Sequence, residues 1–154
     1  MRFLKDYFRN RGLRSISKST KRPLTAQPFV TLLCDDDSQL ELLKESFSKV
    51  QAVYAKDERR LKDKPVNSAV MYTNDFSWQG EPIIALPEMS ETNHIIINTS
   101  KKLDLAWYWY ARSYELRIDM MGIYEDADMS IVGANTLREK METLRSYLNK
   151  ISHE

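Results

Sequence analysis

Two short apolar runs constrain the fold of this chain more than any other feature. Phe29 to Cys34 is an unbroken run of apolar or β-prone residues, and His94 to Asn98 is apolar on both faces. Such strands must be covered on both sides, which is typical of parallel sheets. We therefore expect His94 to Asn98 near the centre of a sheet of roughly five strands.

The remaining patterns alternate between strands and helices. Ser38, Gln39, Leu40 and Glu41 match a capping box, which predicts the start of a helix. Further strands are predicted at 52–55, 69–73, 115–121 and 128–132, and further helices at 101–114 and from Asn135 to about 151. This order predicts an α/β domain, a single layered domain with a mostly parallel central sheet flanked by helices.

The first 28 residues differ in character from the rest. Residues 2–16 predict a short amphipathic helix with Phe3, Leu4, Tyr7 and Phe8 near one stripe. Residues 23–28 begin and end with proline and predict a linker. A length of 154 residues suits one domain. We therefore divide the chain into a basic arm (1–22), a linker (23–28) and an α/β domain (29–152).

The arm concentrates positive charge. It holds eight cations against one acid, whereas the remainder has 15 cations and 21 acids. The predicted polyanion-binding residues are Arg2, Lys5, Arg9, Arg11, Arg14, Lys18, Lys21 and Arg22. RNA or the ribosome is one candidate partner, and an anionic membrane surface with inserted aromatic side chains is the other. A structural alternative is that the arm packs on its own acidic body.

Cysteine and hydropathy bear on the compartment. Cys34 is the only cysteine, so no intramolecular disulfide can form, which fits a reducing compartment. It lies inside a predicted strand, where a thiol is usually a small inert apolar group. No apolar run approaches the roughly 18 residues of a membrane span. These features favour a cytoplasmic protein. The basic arm is what would allow such a protein to associate with a membrane or a ribosome.

The residues of common catalytic sites are scarce. The four glycines form no phosphate-cradling pattern, and His94 and His153 are the only histidines. An acidic triplet, Asp35 to Asp37, follows the first strand, where phospho-receiver domains hold Mg²⁺. The phosphorylatable aspartate of such a domain is replaced by Asn98, so the triplet is predicted to solvate the loop and favour a helix N-terminus. We predict no catalytic residue, metal site or cofactor. The scarcity of such residues favours a protein that is not an enzyme.

The segment 75–82 contains a candidate ligand loop with Asp75 and Trp78. Beside glycine and proline, the indole could stack on a ring or a sugar. The favoured interpretation is that Trp78 plugs an irregular loop against the core, because tryptophan buries a large area.

The predicted helix 101–114 has two apolar stripes. One contains Leu103, Ala106, Trp107, Tyr110, Ala111 and Tyr114, and the other contains Leu105, Tyr108, Trp109 and Arg112. A helix lying on a sheet buries one stripe, so the second meets another part of the chain or a partner. Intramolecular burial is the favoured interpretation. The alternative is that Leu105, Tyr108, Trp109 and Arg112 form the surface of a homodimer or contact a protein partner.

Several stretches resemble one known family. They are 3–8, the segment 75–82, the strand His94 to Asn98 with its following helix, 115–122, and 144–148. Through them the chain resembles a Bacteroidota protein family, domain of unknown function 6913. The resemblance implies an α/β fold and a bacterial cytoplasmic origin, but no activity. Members often carry an acid near the end of the central strand, where this chain has Asn98.

Together these features predict a non-enzymatic binding or adaptor protein, anchored through its basic arm to RNA, a ribosome or an anionic membrane. The alternative is a divergent enzyme of nucleotide-sugar transferase type. Its site would lie at the carboxyl ends of the strands.

Overall fold

A computed structural model describes residues 29–62, 70–79, 81–83, 94–110, 114–133 and 136–152. The strands are β1 (Phe29–Cys34), β2 (Val50–Ala55), β3 (Val70–Met71), β4 (His94–Asn98), β5 (Leu116–Asp119) and β6 (Met129–Ser130). The helices are α1 (Asp37–Lys44), α2 (Ala106–Tyr110) and α3 (Leu137–Ser152), and a 3₁₀ turn, Leu103–Leu105, directly precedes α2. The predicted arm and linker lie outside the described residues.

The six strands form one sheet in the order β3-β2-β1-β4-β5-β6, and every neighbouring pair is parallel. The α/β class is therefore confirmed, with six strands rather than about five. β1 and β4 are the central pair, with Phe29 opposite His94 and Leu33 opposite Asn98. The apolar run 94–98 lies at the centre of the sheet because both its faces need cover.

One face of the sheet is covered by the two longer helices. Side chains of alternate residues in β1 and β4, such as Leu32 and Ile97, pack in one cluster with Leu43 of α1 and Met141 and Leu144 of α3. These helical side chains are almost fully buried. The apolar stripe of each helix thus meets one face of the sheet, as its spacing requires.

The opposite face carries the aromatic cluster. Leu33 and Ile96 point to this side and pack with Leu105, Tyr108 and Trp109 from the 3₁₀ turn and α2. With helices on both sides, Val30 to Cys34 and Ile95 to Asn98 are buried. Functional groups on these strands can therefore meet a ligand only at the strand ends.

Candidate functional site

The carboxyl edge of the sheet is the expected location of a ligand site. In open parallel sheets, ligands bind outside the carboxyl ends of the strands, at the point where the strand order reverses. Here the order reverses between β1 and β4. Asp35 follows β1, and Thr99 and Ser100 follow β4, so these polar residues border the reversal point.

Protein groups bridge this reversal point directly. Ser100 Oγ donates to Asp35 Oδ1 at 2.8 Å, and the Asp35 amide donates to Gln39 Oε1 at 2.7 Å. Thr99 Oγ1 lies 3.0 Å from both Gln39 Oε1 and the carbonyl oxygen of Leu33. Thr99 and Ser100 are buried. These bonds tie the loop after β1 to the loop after β4, and a ligand entering here would have to break them.

Asp36 has a structural role in the acidic triplet. It is the N-cap of α1, and its Oδ1 accepts from the Gln39 amide at 3.2 Å and from Ser38 Oγ at 2.5 Å. These hydrogen bonds, that of Ser38 foremost, lower the pKa of Asp36. The prediction that the triplet favours a helix N-terminus is confirmed for Asp36. The predicted capping box is wrong by two residues, since the N-cap of the helix is Asp36 rather than Ser38.

The other two acids of the triplet point elsewhere. Asp35 accepts from Ser100, and Asp37 Oδ1 accepts from the Tyr54 hydroxyl at 2.6 Å. Burial, followed by the bond to Asp37, raises the pKa of Tyr54. Across the described ranges, no three His, Cys, Asp or Glu side chains are arranged to hold a metal ion.

Asn98 and Asp119 form a buried polar pair on neighbouring strands. Asn98 Nδ2 donates to Asp119 Oδ1 at 3.1 Å. Asp119 also accepts from the amides of Met121, Ile123 and Tyr124 at 2.7 to 2.9 Å. Four donors around one carboxylate stabilise its charge. Asp119 therefore organises the loop after β5, and Asn98 is one of its supports.

Lys140 is a buried cation that the sequence analysis missed. It is only 8% exposed, and its Nζ donates to the carbonyl oxygen of Met120 at 2.8 Å, just past β5. Its position between Leu137 and Met141 on the buried stripe of α3 was the available signal. A lysine at such a position must extend its stem along the core to bring its ammonium to a polar acceptor.

A separate cleft lies at the carboxyl ends of β2 and β3. It is shallow, with a cavity volume of about 20 Å³, which holds about one water molecule. Lys56 and Asp57 after β2, Tyr72 and Thr73 after β3, and residues 102–105 contribute to its walls. Lys102 Nζ forms an ion pair with Asp57 Oδ2 at 3.1 Å at this cleft. Charged groups and open space thus coincide here, beside the bridged reversal point.

Asp75 of the predicted ligand loop is a structural residue. Its carboxylate accepts from Arg60 Nε at 3.1 Å and Arg60 Nη2 at 2.8 Å, and both side chains are less than 10% exposed. The amide of Tyr72 donates to the same carboxylate, and the Arg60 guanidinium lies 4.5 Å from the Tyr72 ring centre. Asp75 therefore fixes the base of the loop.

Trp78 lies on a hairpin built on that base. We use the term 75–83 hairpin for residues 75–79 and 81–83. Phe76 pairs with Pro82, and the Ser77 amide donates to the Glu81 carbonyl at 2.8 Å. Phe76 is buried, but Trp78 is 55% exposed. The interpretation of Trp78 as a plug is therefore wrong, because Phe76 and the Arg60–Asp75 pair anchor the loop instead. Binding of a ring or sugar at Trp78 stays a prediction.

The predicted partner surface on the aromatic helix needs correction. Leu105, Tyr108 and Trp109 are fully buried within the chain, whereas Leu103 of the other stripe is 48% exposed. The favoured prediction of intramolecular burial is confirmed for these three residues, and the partner surface is wrong for them. The two stripes were predicted for one continuous α-helix, whereas the segment begins with a 3₁₀ turn, which has 3.0 residues per turn rather than 3.6. Arg112 lies outside the described residues.

The remaining predictions concern Cys34, the cations of the arm and the absence of a membrane span. Cys34 is buried in the core, and burial, with a contribution from Asp35, raises the pKa of its thiol to about 12. The predicted burial of Cys34 inside a strand is thus confirmed. All eight predicted polyanion-binding cations of the arm lie outside the described residues. Within the described ranges, no helix combines the length and apolar character needed to cross a membrane.

Comparison of the chain with protein-family models, curated proteins and solved structures finds no match. The resemblance noted in the sequence therefore stays a prediction.

Proposed function

We propose that this protein is a non-enzymatic binding or adaptor protein, tethered by its basic arm to a phosphate-rich polyanion. RNA or the ribosome is one such surface, and an anionic membrane is the other. The observation that carries the proposal is the charge asymmetry. Residues 1–22 hold eight cations and one acid, while the rest of the chain has six more acids than cations. The body should repel a polyanion, so binding depends on the arm.

The contacts at the carboxyl edge are consistent with this proposal. Asp35, Asp36 and Asp119 are occupied as a bridge, a helix cap and a loop organiser, respectively. Side chains with these structural roles serve the stability of the body. The body then acts as a folded carrier for the arm.

The proposal is tested on the full chain by neutralising part of the arm. Arg9, Arg11 and Arg14 are changed together to Gln, and a control carries Gln at Lys44, Lys49 and Arg59, which are exposed on the body. Fluorescence anisotropy with a labelled single-stranded RNA measures affinity over a range of salt concentrations. If the three arginines contact phosphates, the log–log salt dependence should become shallower by about 2, since each contact contributes about 0.7. If the arm and control variants bind alike both to this RNA and to phosphatidylserine vesicles, the proposal is overturned.

A second measurement distinguishes RNA from a membrane. Phe8→Ser keeps the charge of the arm but removes an apolar side chain that could insert into lipid. Sedimentation with phosphatidylserine vesicles should show weaker binding of Phe8→Ser if the membrane is the partner. Phe8→Ser should leave RNA binding nearly unchanged if phosphate contacts supply the affinity.

A divergent enzyme of nucleotide-sugar transferase type is the second candidate. The reversal of strand order between β1 and β4 favours it, because ligand sites occur at such points. The Ser100–Asp35 bond across this point counts against it. An amide NMR titration with a uridine diphosphate sugar is the test. We expect no saturable shifts at Asp35, Thr99 or Ser100, and such shifts would favour the enzyme.

A further inference from the structure

Half of the large apolar side chains that the described surface exposes belong to two neighbouring segments. The exposed ones are Leu61, Trp78, Ile83, Leu103, Val132 and Tyr147. The first three are 59%, 55% and 66% exposed, and they lie on segments that the Arg60–Asp75 pair holds together. We use the term hairpin patch for Leu61, Trp78 and Ile83. A group of exposed apolar side chains indicates an interaction surface, whereas single ones are ordinary.

Hydrogen bonds bring the two segments of the hairpin patch together. The Arg60 amide donates to Asn74 Oδ1 at 2.7 Å, and its Nη2 donates to Asp75 Oδ2 at 2.8 Å. The Ile83 amide donates to the carbonyl oxygen of Asp75, also at 2.8 Å. Leu61 directly follows Arg60 in the chain. The backbones at Leu61 and Ile83 therefore both lie close to Asp75.

Hydrogen bonds also hold the turn that carries Trp78. The Ser77 amide donates to the Glu81 carbonyl at 2.8 Å, and Ser77 Oγ accepts from the amides of Gln79 and Glu81, each at 3.3 Å. A side chain on an ordered turn loses less conformational entropy on binding than one on a loose turn. Tryptophan is also enriched among the residues that supply most of the energy of protein interfaces.

Charged residues of both signs surround the hairpin patch. Glu58, Arg59 and Lys62 lie on one segment and Glu81 on the other, and all four are exposed. None of the ion pairs between described residues involves any of them. Two cations and two acids give no preference for a polyanion. In a two-fold symmetric interface each copy supplies both signs, so each charge can meet an opposite one.

We propose that the hairpin patch binds a second copy of this chain. The three apolar side chains form the core of this interface, and the four charged side chains form its polar rim, as in other protein interfaces. A core of this size belongs to a small interface, so we expect a dissociation constant on the order of 10 to 100 µM.

Dimerisation would place two basic arms on one particle. If the arm binds a polyanion as proposed above, the second arm then binds at a high effective concentration. This consequence rests on the proposed function. The dimer itself needs no polyanion and is measured without one, so the two proposals can fail separately.

Sedimentation equilibrium of the full chain is the first test, over about 5 to 500 µM, which brackets the expected dissociation constant. We expect a reversible equilibrium between monomer and dimer. Trp78→Ser should weaken the dimer at least about tenfold, because it removes the aromatic anchor. Its melting temperature at low concentration should match that of the parent, because the side chain is exposed.

The matched control is Tyr147→Ser, since Tyr147 is an aromatic residue 46% exposed on α3. This control should dimerise like the parent chain. A chain that stays monomeric at every concentration would overturn the proposal, as would a dimer that Trp78→Ser leaves intact. A clear fall in the melting temperature of Trp78→Ser would show that the chain itself covers the patch, which also contradicts the proposal.

Charge reversal tests whether the partner is a second copy. Glu58→Lys with Glu81→Lys makes all four rim charges positive, and Arg59→Glu with Lys62→Glu makes all four negative. Each double variant should dimerise at least about tenfold more weakly, because like charges then face each other. An equimolar mixture of the two should associate at least as tightly as the parent, because opposite rims meet. If both variants fold but the mixture does not associate, the second copy is the wrong partner.

Discussion

Trp109 and Trp78 show how differently one side chain type is used in two regions of this molecule. Trp109 on α2 is fully buried, stacks on Tyr124 with ring centres 4.3 Å apart, and donates from Nε1 to Asp126 at 3.1 Å. Trp78 on the 75–83 hairpin is 55% exposed. For Trp109 the sequence favoured burial within the chain, with a partner surface as the alternative, and burial is confirmed. For Trp78 the sequence favoured a plug, and that interpretation is wrong.

The difference lies in what anchors each segment. α2 has only five residues, and its aromatic side chains pack it against the sheet. The 75–83 hairpin is attached through the buried Arg60–Asp75 ion pair and Phe76, which leaves its tip free. The burial of a tryptophan thus depends on whether other residues already hold its segment in place.

The largest expected effect is at Trp109. Trp109→Glu should destabilise the fold by more than about 5 kcal/mol, because it leaves a cavity and buries a charge. Trp78→Glu should change stability by no more than about 0.5 kcal/mol, because the residue is exposed. Urea denaturation measures both. A larger effect at Trp78 than at Trp109 would reverse the comparison.

Removing the anchor of the hairpin should have the next largest effect. Asp75→Asn leaves the Arg60 guanidinium buried without its counter-charge, which should cost about 3 kcal/mol. Asp57→Asn, which breaks the exposed ion pair with Lys102, should cost less than about 1 kcal/mol and serves as the control. The same denaturation experiment compares the two. Equal losses would show that the buried pair does not anchor the hairpin.

The hydroxyl of Tyr110, beside the aromatic cluster, predicts that the stability of the fold decreases at alkaline pH. The Tyr110 hydroxyl donates to Asp126 Oδ1 at 3.2 Å, and burial, together with Asp126, raises the pKa of Tyr110 to about 12. The raised pKa favours the protonated folded state. This stabilisation is complete below about pH 10 and is lost as the pH rises through about 12.

Tyr110→Phe removes this part of the pH dependence. Stability measured from pH 8 to 12 should therefore fall less steeply in Tyr110→Phe than in the parent chain. Tyr147→Phe is the control, since Tyr147 is 46% exposed on α3. Parallel stability curves for Tyr110→Phe and the parent would contradict the assignment.

The smallest expected effect is at the tip of the hairpin. Trp78→Ser should alter stability by less than about 0.5 kcal/mol. It should also remove much of the tryptophan fluorescence that acrylamide quenches readily, because Trp109 is fully buried and Trp107 is partly buried. A loss of stability above about 1 kcal/mol would restore the plug interpretation.

Strands were predicted well where the pattern reflects burial alone. β1 and β4 have the predicted bounds, because a run that is apolar on both faces has few alternatives to a central parallel strand. The outer strands β3 and β6 have two residues each, fewer than predicted at 69–73 and 128–132. An edge strand pairs on one side only, so neighbours rather than its own sequence limit its length.

The candidate sites were predicted less well, since they depend on contacts distant in sequence. Asp75 acquires its structural role from Arg60, and Asp35 acquires its partner from Ser100, 65 residues away. The cleft joins segments after β2, β3 and β4, and nothing in any one of those segments indicates the others. No pattern in the sequence indicates that Lys56 and Lys102 line the same cleft.

The sequence by itself determined the α/β class, the central strands, the burial of Cys34 and the charge contrast between arm and body. These follow from local composition and from the cost of leaving apolar residues in water. Only the tertiary structure decided which aromatic stripe is buried, which tryptophan is exposed and where charged side chains surround a cleft. Those outcomes depend on strand order and on how residues 103–110 lie against the sheet. Long-range packing sets both, and the local pattern does not encode it.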